Sequence, residues 1–195
     1  MTTTKYNPLS DMNQIKERLA AMFGLDESIT RLVVPAVETP AVLEQTPVDW
    51  FGTHCFDTSY LEGSITEGGC AIYIDTNLTA VSNPYVREVR VEISVICHKN
   101  AVTLSEEERT FCNSIGIYGN RIDCLCQLIH ASILSHPAMK EFQKDYATSP
   151  VNLTKADPVR SLKPEPGYYG KTLAYTYHTA CQAKSGNNVG TAGKG

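Results

Sequence analysis

Residues 121–136, RIDCLCQLIHASILSH, set Cys124 and Cys126 one residue apart, with His130 and His136 close behind. Thiolates and imidazoles are zinc ligands and partners in nucleophilic catalysis, so this spacing raises the first chemical question. The segment reads as the principal helix, opened by Gly119 and Asn120 and closed by Pro137. With successive residues turning by about 100°, Ile122, Leu125, Cys126, Ile129 and Ile133 form one core stripe. Cys124 then lies about 160° from Cys126. The two sulfurs therefore cannot share a metal or close a disulfide within the helix. Cys126 is expected to be a small core hydrophobe. Cys124 shares the far face with Leu128 and Ala131, an apolar back that needs cover from the chain's own loops or from a second subunit.

The other sulfur–imidazole neighbours separate for a related reason. His54–Cys55 and Cys97–His98 are adjacent on predicted strands, where successive side chains point to opposite sides. Cys126 and His130, at i and i+4, do share a helix face. No CxxC or HExxH accompanies them, so a thiol- or zinc-dependent enzyme using Cys126, His130 and a strand cysteine stands as an alternative of another class. The nucleophile elbow, the phosphate-cradling glycine loop and the dinucleotide glycine pattern are missing. DTNLTA at 75–80 reads as an Asp/Asn turn, since the spaced acids of a calcium loop are missing. SEEER at 105–109 reads as a helix start, its acids suited to the N-terminal dipole. No catalytic, cofactor-binding or metal-binding residue is assigned, and the chain is read as non-enzymatic.

A length of 195 residues with 42% hydrophobic and 19% charged content bounds one folded domain with a sizeable core. A formal charge of −4 gives no basic surface for nucleic acid. No signal peptide or membrane span is visible. Seven cysteines in a chain made in a reducing cytosol predict free, buried thiols.

An amphipathic helix is expected over 10–23, where Ile15, Leu19, Met22 and Phe23 share a stripe, ended by Gly24. An apolar extended arm follows over 30–51, punctuated by Pro35, Pro40 and Pro47. Strands are expected from 52 to 104. The clearest is PYVREVRVEISVICHKN, where Arg87, Val89, Val91, Ile93, Val95 and Cys97 alternate with Glu88, Arg90, Glu92, Ser94, Ile96 and His98. After a polar connector over 138–166, a last strand sets Leu173, Tyr175, Tyr177 and Thr179 against Thr172, Ala174, Thr176 and His178. The expectation is a single α+β domain over 1–185: an antiparallel sheet of about four or five strands with one main helix across a face. An N-terminal helix and long loops lie outside that core, and a flexible tail covers 186–195.

The strand VREVRVEISVICHKN, followed after a loop by Gly119-Asn120-Arg121-Ile122-Asp123 opening an amphipathic helix, resembles the neck proteins of tailed bacteriophages, in particular the tail-terminator or tail-completion group. The resemblance covers residues 70 to 135 and rests on layout. It implies a virion structural protein, made in the cytoplasm of the bacterial host, that closes a ring of about six subunits through two different patches per subunit. Such a ring caps the tail tube protein and presents a surface to the head-side connector. A head-closure or adaptor ring is the alternative within the class. Interface candidates are Glu88, Arg90 and Glu92 on the outward strand face, Cys124 and Leu128 on the helix back, and the 32–51 arm.

Overall fold

The computed structural model describes residues 8–34, 50–60, 62–65, 68–83, 86–147, 149–155 and 157–180. The chain is α+β, with a mixed sheet and helices gathered on one side of it. Its strands are β1 (Cys55–Phe56), β2 (Cys70–Asn83), β3 (Val86–His98), β4 (Asn152–Leu153), β5 (Val159–Leu162) and β6 (Tyr168–Ala180). They lie in the order β1-β2-β3-β6-β4, with β5 also on β6. All pairings are antiparallel except β1 on β2. The helices among the described residues are α1 (Pro8–Leu25), α2 (Glu27–Val33), α3 (Glu106–Ser114), α4 (Arg121–Ser135) and α5 (Pro137–Tyr146).

The two alternating strands form the backbone of the fold as their patterns require. β3 pairs with β6 without a break, Val89 opposite Tyr177, Val91 opposite Tyr175 and Ile93 opposite Leu173, and all six are buried. At Gly170 the strands run so close that a Cβ would collide with the Val95 carbonyl and the Ile96 side chain. α4 lies over β3 and β6, and α1 and α2 cover β2. Their stripes, Ile15, Leu19, Phe23, Ile29, Leu32, Leu125 and Ile129, merge with the strands into one core.

The helix ends are set by short-range chemistry. Asp26 caps α2 by accepting from Ser28 and Ile29 N–H, and its other oxygen accepts from Ser132 Oγ at 2.7 Å, tying α2 to α4. Ser105 and Glu108 form a reciprocal capping box on α3. Arg121 opens α4 and clamps three elements together. It donates to the carbonyls of Ala101 at 2.6 Å and Leu32 at 2.7 Å, and grips Glu108 through two bonds of 2.7 Å.

Several expectations change here. The α1 stripe runs Pro8–Leu25, slightly beyond the predicted 10–23. Residues 30–33, the start of the expected 30–51 arm, belong instead to α2, because Asp26 supplies a cap and the first proline comes only at 35. The rest of the arm, 35–49, lies outside the described residues, as does the 186–195 tail. Pro137 ends α4 but also starts α5 at its first position, where its missing N–H costs nothing. DTNLTA is strand, continuous with β2, rather than a turn. The first expected strand shrinks to Cys55–Phe56 behind a turn at Gly52. Cys70 and Cys97 are not free thiols: they sit directly opposite each other on β2 and β3 and are joined as a disulfide.

Candidate functional site

The cysteine–histidine helix separates as its angles require. Cys126 is buried toward the sheet, beside Lys171 and Tyr175, and burial pushes its thiol up to about 12. His130 Nδ1 lies 3.0 Å from the Tyr175 hydroxyl, with the rings stacked. Among the described residues no three His, Cys, Asp or Glu side chains gather to hold a metal. On the opposite side, Cys124 meets Cys112 of α3, and burial first, then that neighbouring thiol, pushes it up to about 12. Cys124 is 0% exposed and Leu128 7%. The helix back is thus covered within the subunit by α2 and α3, and these two residues are withdrawn as interface candidates.

The remaining candidates, Glu88, Arg90 and Glu92, stand together on the face of the sheet that carries no helix. Strand alternation places Glu88, Arg90, Glu92 and Ser94 of β3 there, flanked by Asp75 of β2 and Thr172, Thr176 and His178 of β6. The charges are paired in a row. Arg90 Nε donates to Glu92 at 2.9 Å, and Arg160 of β5 donates to the same carboxylate at 2.9 Å. Thr79 Oγ1 donates to Glu88 at 2.7 Å, and His178 Nε2 lies 3.6 Å from Glu88 while its Nδ1 meets Ser149 Oγ at 3.1 Å.

One end of this face is closed by apolar side chains. Ile65, Ala71, Tyr73 and Ile96 are buried there under Phe56, Tyr60, Leu162 and Tyr168. The Tyr60 hydroxyl donates to Glu165, and Tyr168 Oη donates to the Ile65 carbonyl at 3.0 Å. The rest is open. A groove of about 560 Å³ runs along Thr79, Glu88, Arg90, Asn152, Lys155 and His178. A smaller one of about 220 Å³ sits between Tyr60, Asp75, Glu92 and Arg160. The larger groove also holds Ser149, whose Oγ lies 3.1 Å from His178 Nδ1, and much of both linings is paired charges and hydroxyls, a composition that suits protein contact.

Arg160, Lys155, Asn152 and Ser149 were not foreseen, because they fall in the 138–166 segment that reads as a connector. The signal present, Val-Arg-Ser-Leu, alternates over only four residues.

No curated protein matches the chain significantly. A family model named YomW matches residues 26–177, which spans α2 through most of β6. That name is phage-associated, and at this coarser level the phage kinship expected from the layout is supported. The matched stretch holds nearly the whole sheet and every described α-helix except α1, and the chain belongs to the YomW family.

Proposed function

We propose that this protein is a structural component of a tailed-phage neck, a ring-forming tail terminator that caps the tail tube and joins it to the head-side connector. The observation that carries this reading is the one-sided sheet. Its helix side is a sealed core, and its other side is an open, charge-paired surface over strands of 13 and 14 residues. A ring subunit needs a rigid wall and an outward surface that tolerates water until a partner arrives. Paired half-buried charges meet that need, since they resist non-specific sticking while fixing register.

In such a ring one rim fits the tube and the other does not, so polymerisation halts geometrically. The thiol-enzyme alternative is disfavoured by the buried, strongly raised thiol of Cys126. Light scattering on the purified protein, alone and with tail tube protein, tests the proposal. The expected result is a closed ring of about six copies, alone or on tube ends. A monomer under both conditions overturns the ring, and binding to head connector with no affinity for tube moves the assignment to a head-closure ring.

A further inference from the structure

Three residues far apart in the chain meet on the open face of the sheet. Glu88 of β3 and His178 of β6 are direct partners across the two strands, so their side chains stand next to each other. The chain returns past this point. Ala147 bridges to Thr179, and Asn152 of β4 pairs with Thr176, on either side of His178. The segment between carries Ser149 against His178, whose main-chain N–H donates to the Ser149 hydroxyl at 2.8 Å.

The hydrogen bonds set the order of the protons. Ser149 Oγ already accepts from the main chain, so its own proton goes to His178 Nδ1 at 3.1 Å or to the Pro150 carbonyl at 3.5 Å. The imidazole is the nearer acceptor. With Nδ1 accepting, the ring proton sits on Nε2, which faces a Glu88 oxygen at 3.6 Å. The other Glu88 oxygen is held by Thr79 Oγ1 at 2.7 Å. Hydroxyl, imidazole and carboxylate stand as nucleophile, base and orienting group, the arrangement that activates a serine for acyl transfer.

Beside these groups lies the larger groove, about 560 Å³, which is room for a small ligand. Arg90, Asn152 and Lys155 share its lining with Ser149, Glu88 and His178. The Asn152 amide and the Lys155 ammonium are the donors on hand for a developing oxyanion. The His178 and Glu88 side chains are 40% and 32% exposed, so a substrate reaches the site from solvent.

We infer that this groove is a serine esterase site for small carboxylic esters, with Ser149 as nucleophile, His178 as general base and Glu88 as the residue that positions the imidazole. Ser149 Oγ bonds to the ester carbonyl carbon while its proton passes to His178 Nδ1. The bond from that carbon to the alcohol oxygen then breaks, and the alcohol leaves with the proton. Water, giving a proton to the same Nδ1, attacks the acyl group, and that proton returns to Ser149 Oγ as the acid departs. Ester and water are the only reactants consumed. Glu88 offsets the charge of the transient imidazolium. The site lies within one subunit and is independent of the ring reading.

The test treats the full-length protein with a fluorophosphonate, which bonds phosphorus to an activated serine oxygen and releases fluoride, and separately with p-nitrophenyl acetate. Peptide mass spectrometry is expected to place a single adduct on Ser149, absent when the protein is labelled in urea, and the ester is expected to release p-nitrophenol. His178→Gln, which keeps the side chain polar but removes the base, should slow acylation about 100-fold or more. Glu88→Gln should slow it less and leave the half-saturating ester concentration unchanged, a split that loosened structure would not give. Wild-type protein that stays unlabelled, carries the adduct elsewhere, or labels equally in urea overturns the site. A His178→Gln variant with the wild-type circular-dichroism spectrum and the wild-type labelling rate also overturns it. Should that variant lose its spectrum, the wild-type adduct and Glu88→Gln decide, and Glu88→Gln acylating as fast as wild type removes the oriented base. Light scattering on the same samples separates the two readings: a ring without an adduct sinks only the esterase, and a labelled monomer, with and without tube protein, sinks only the ring.

Discussion

Val89, Val91 and Ile93 stand on one side of β3, and Glu88, Arg90 and Glu92 stand between them on the other. The first three are at most 1% exposed, packed under α4 and against β6. The second three remain half-buried, bonded to one another and to Arg160, Thr79 and His178. The same backbone supports both sets, so the difference comes from what covers each side. Where helices exclude water, apolar contact dominates and any charge must be fully bonded. Where water remains, ion pairs contribute little to stability and serve recognition instead.

The sharpest way to break this contrast is to remove the charge that sits on the helix side. Arg121 joins α4 to α2, to the Ala101 turn and to Glu108. Burial alone would raise the Glu108 carboxyl, but the Arg121 guanidinium and the Ser105 N–H outweigh it and hold it below its ordinary 4.5. Arg121→Ala strands a carboxylate and two carbonyls, and should cost about 3–5 kcal/mol in denaturant unfolding. The sign for pH follows from the depressed carboxyl. Its stabilisation is complete above the unfolded value and fades as pH falls through the lower folded one. A loss below about 1 kcal/mol would mean that Arg121 is a surface residue in solution.

How far the sequence foretells this division depends on the length of each signal. The thirteen residues of β3 and the fifteen of α4 carry enough period to assign their faces, and Cys126 falls where its angle places it. The open-face trio is legible for the same reason. Arg160 is not, because a four-residue exposed strand in a proline-rich connector has no pattern of its own until β6 gives it a ladder. β1 escapes for a similar reason, since it is two residues long and parallel. The pairing of Cys70 with Cys97 depends on the β2–β3 register, which neither strand specifies alone.

A second test titrates the sealed side. Burial pushes the thiols of Cys55, Cys124 and Cys126 from an ordinary 9.0 up to about 12. A thiol raised on folding favours the native state fully below the unfolded value, and that advantage is lost as pH rises toward the folded one. Stability should therefore fall between pH 9 and 12, by about 1.4 kcal/mol per pH unit for each such thiol. Urea midpoints measured across that range check it. At pH 8 these thiols should react with a disulfide reagent only at the rate of unfolding, and fast labelling of any of them in the native protein would show that the helix layer opens.

The smallest effect belongs to the open face, and it is the one that distinguishes recognition from stability. Glu92 accepts from Arg90 and Arg160, so Glu92→Ala breaks two ion pairs at once. Both guanidiniums can turn to water, Arg160 being 48% exposed at its side chain. The loss should therefore stay below about 1 kcal/mol, with a coupling of about 0.2–1 kcal/mol in a double-mutant cycle with Arg160→Ala. A loss of 3 kcal/mol or more, on the scale of the Arg121 clamp, would mean that the row of charges is part of the core and that the two sides of the sheet are not different in kind.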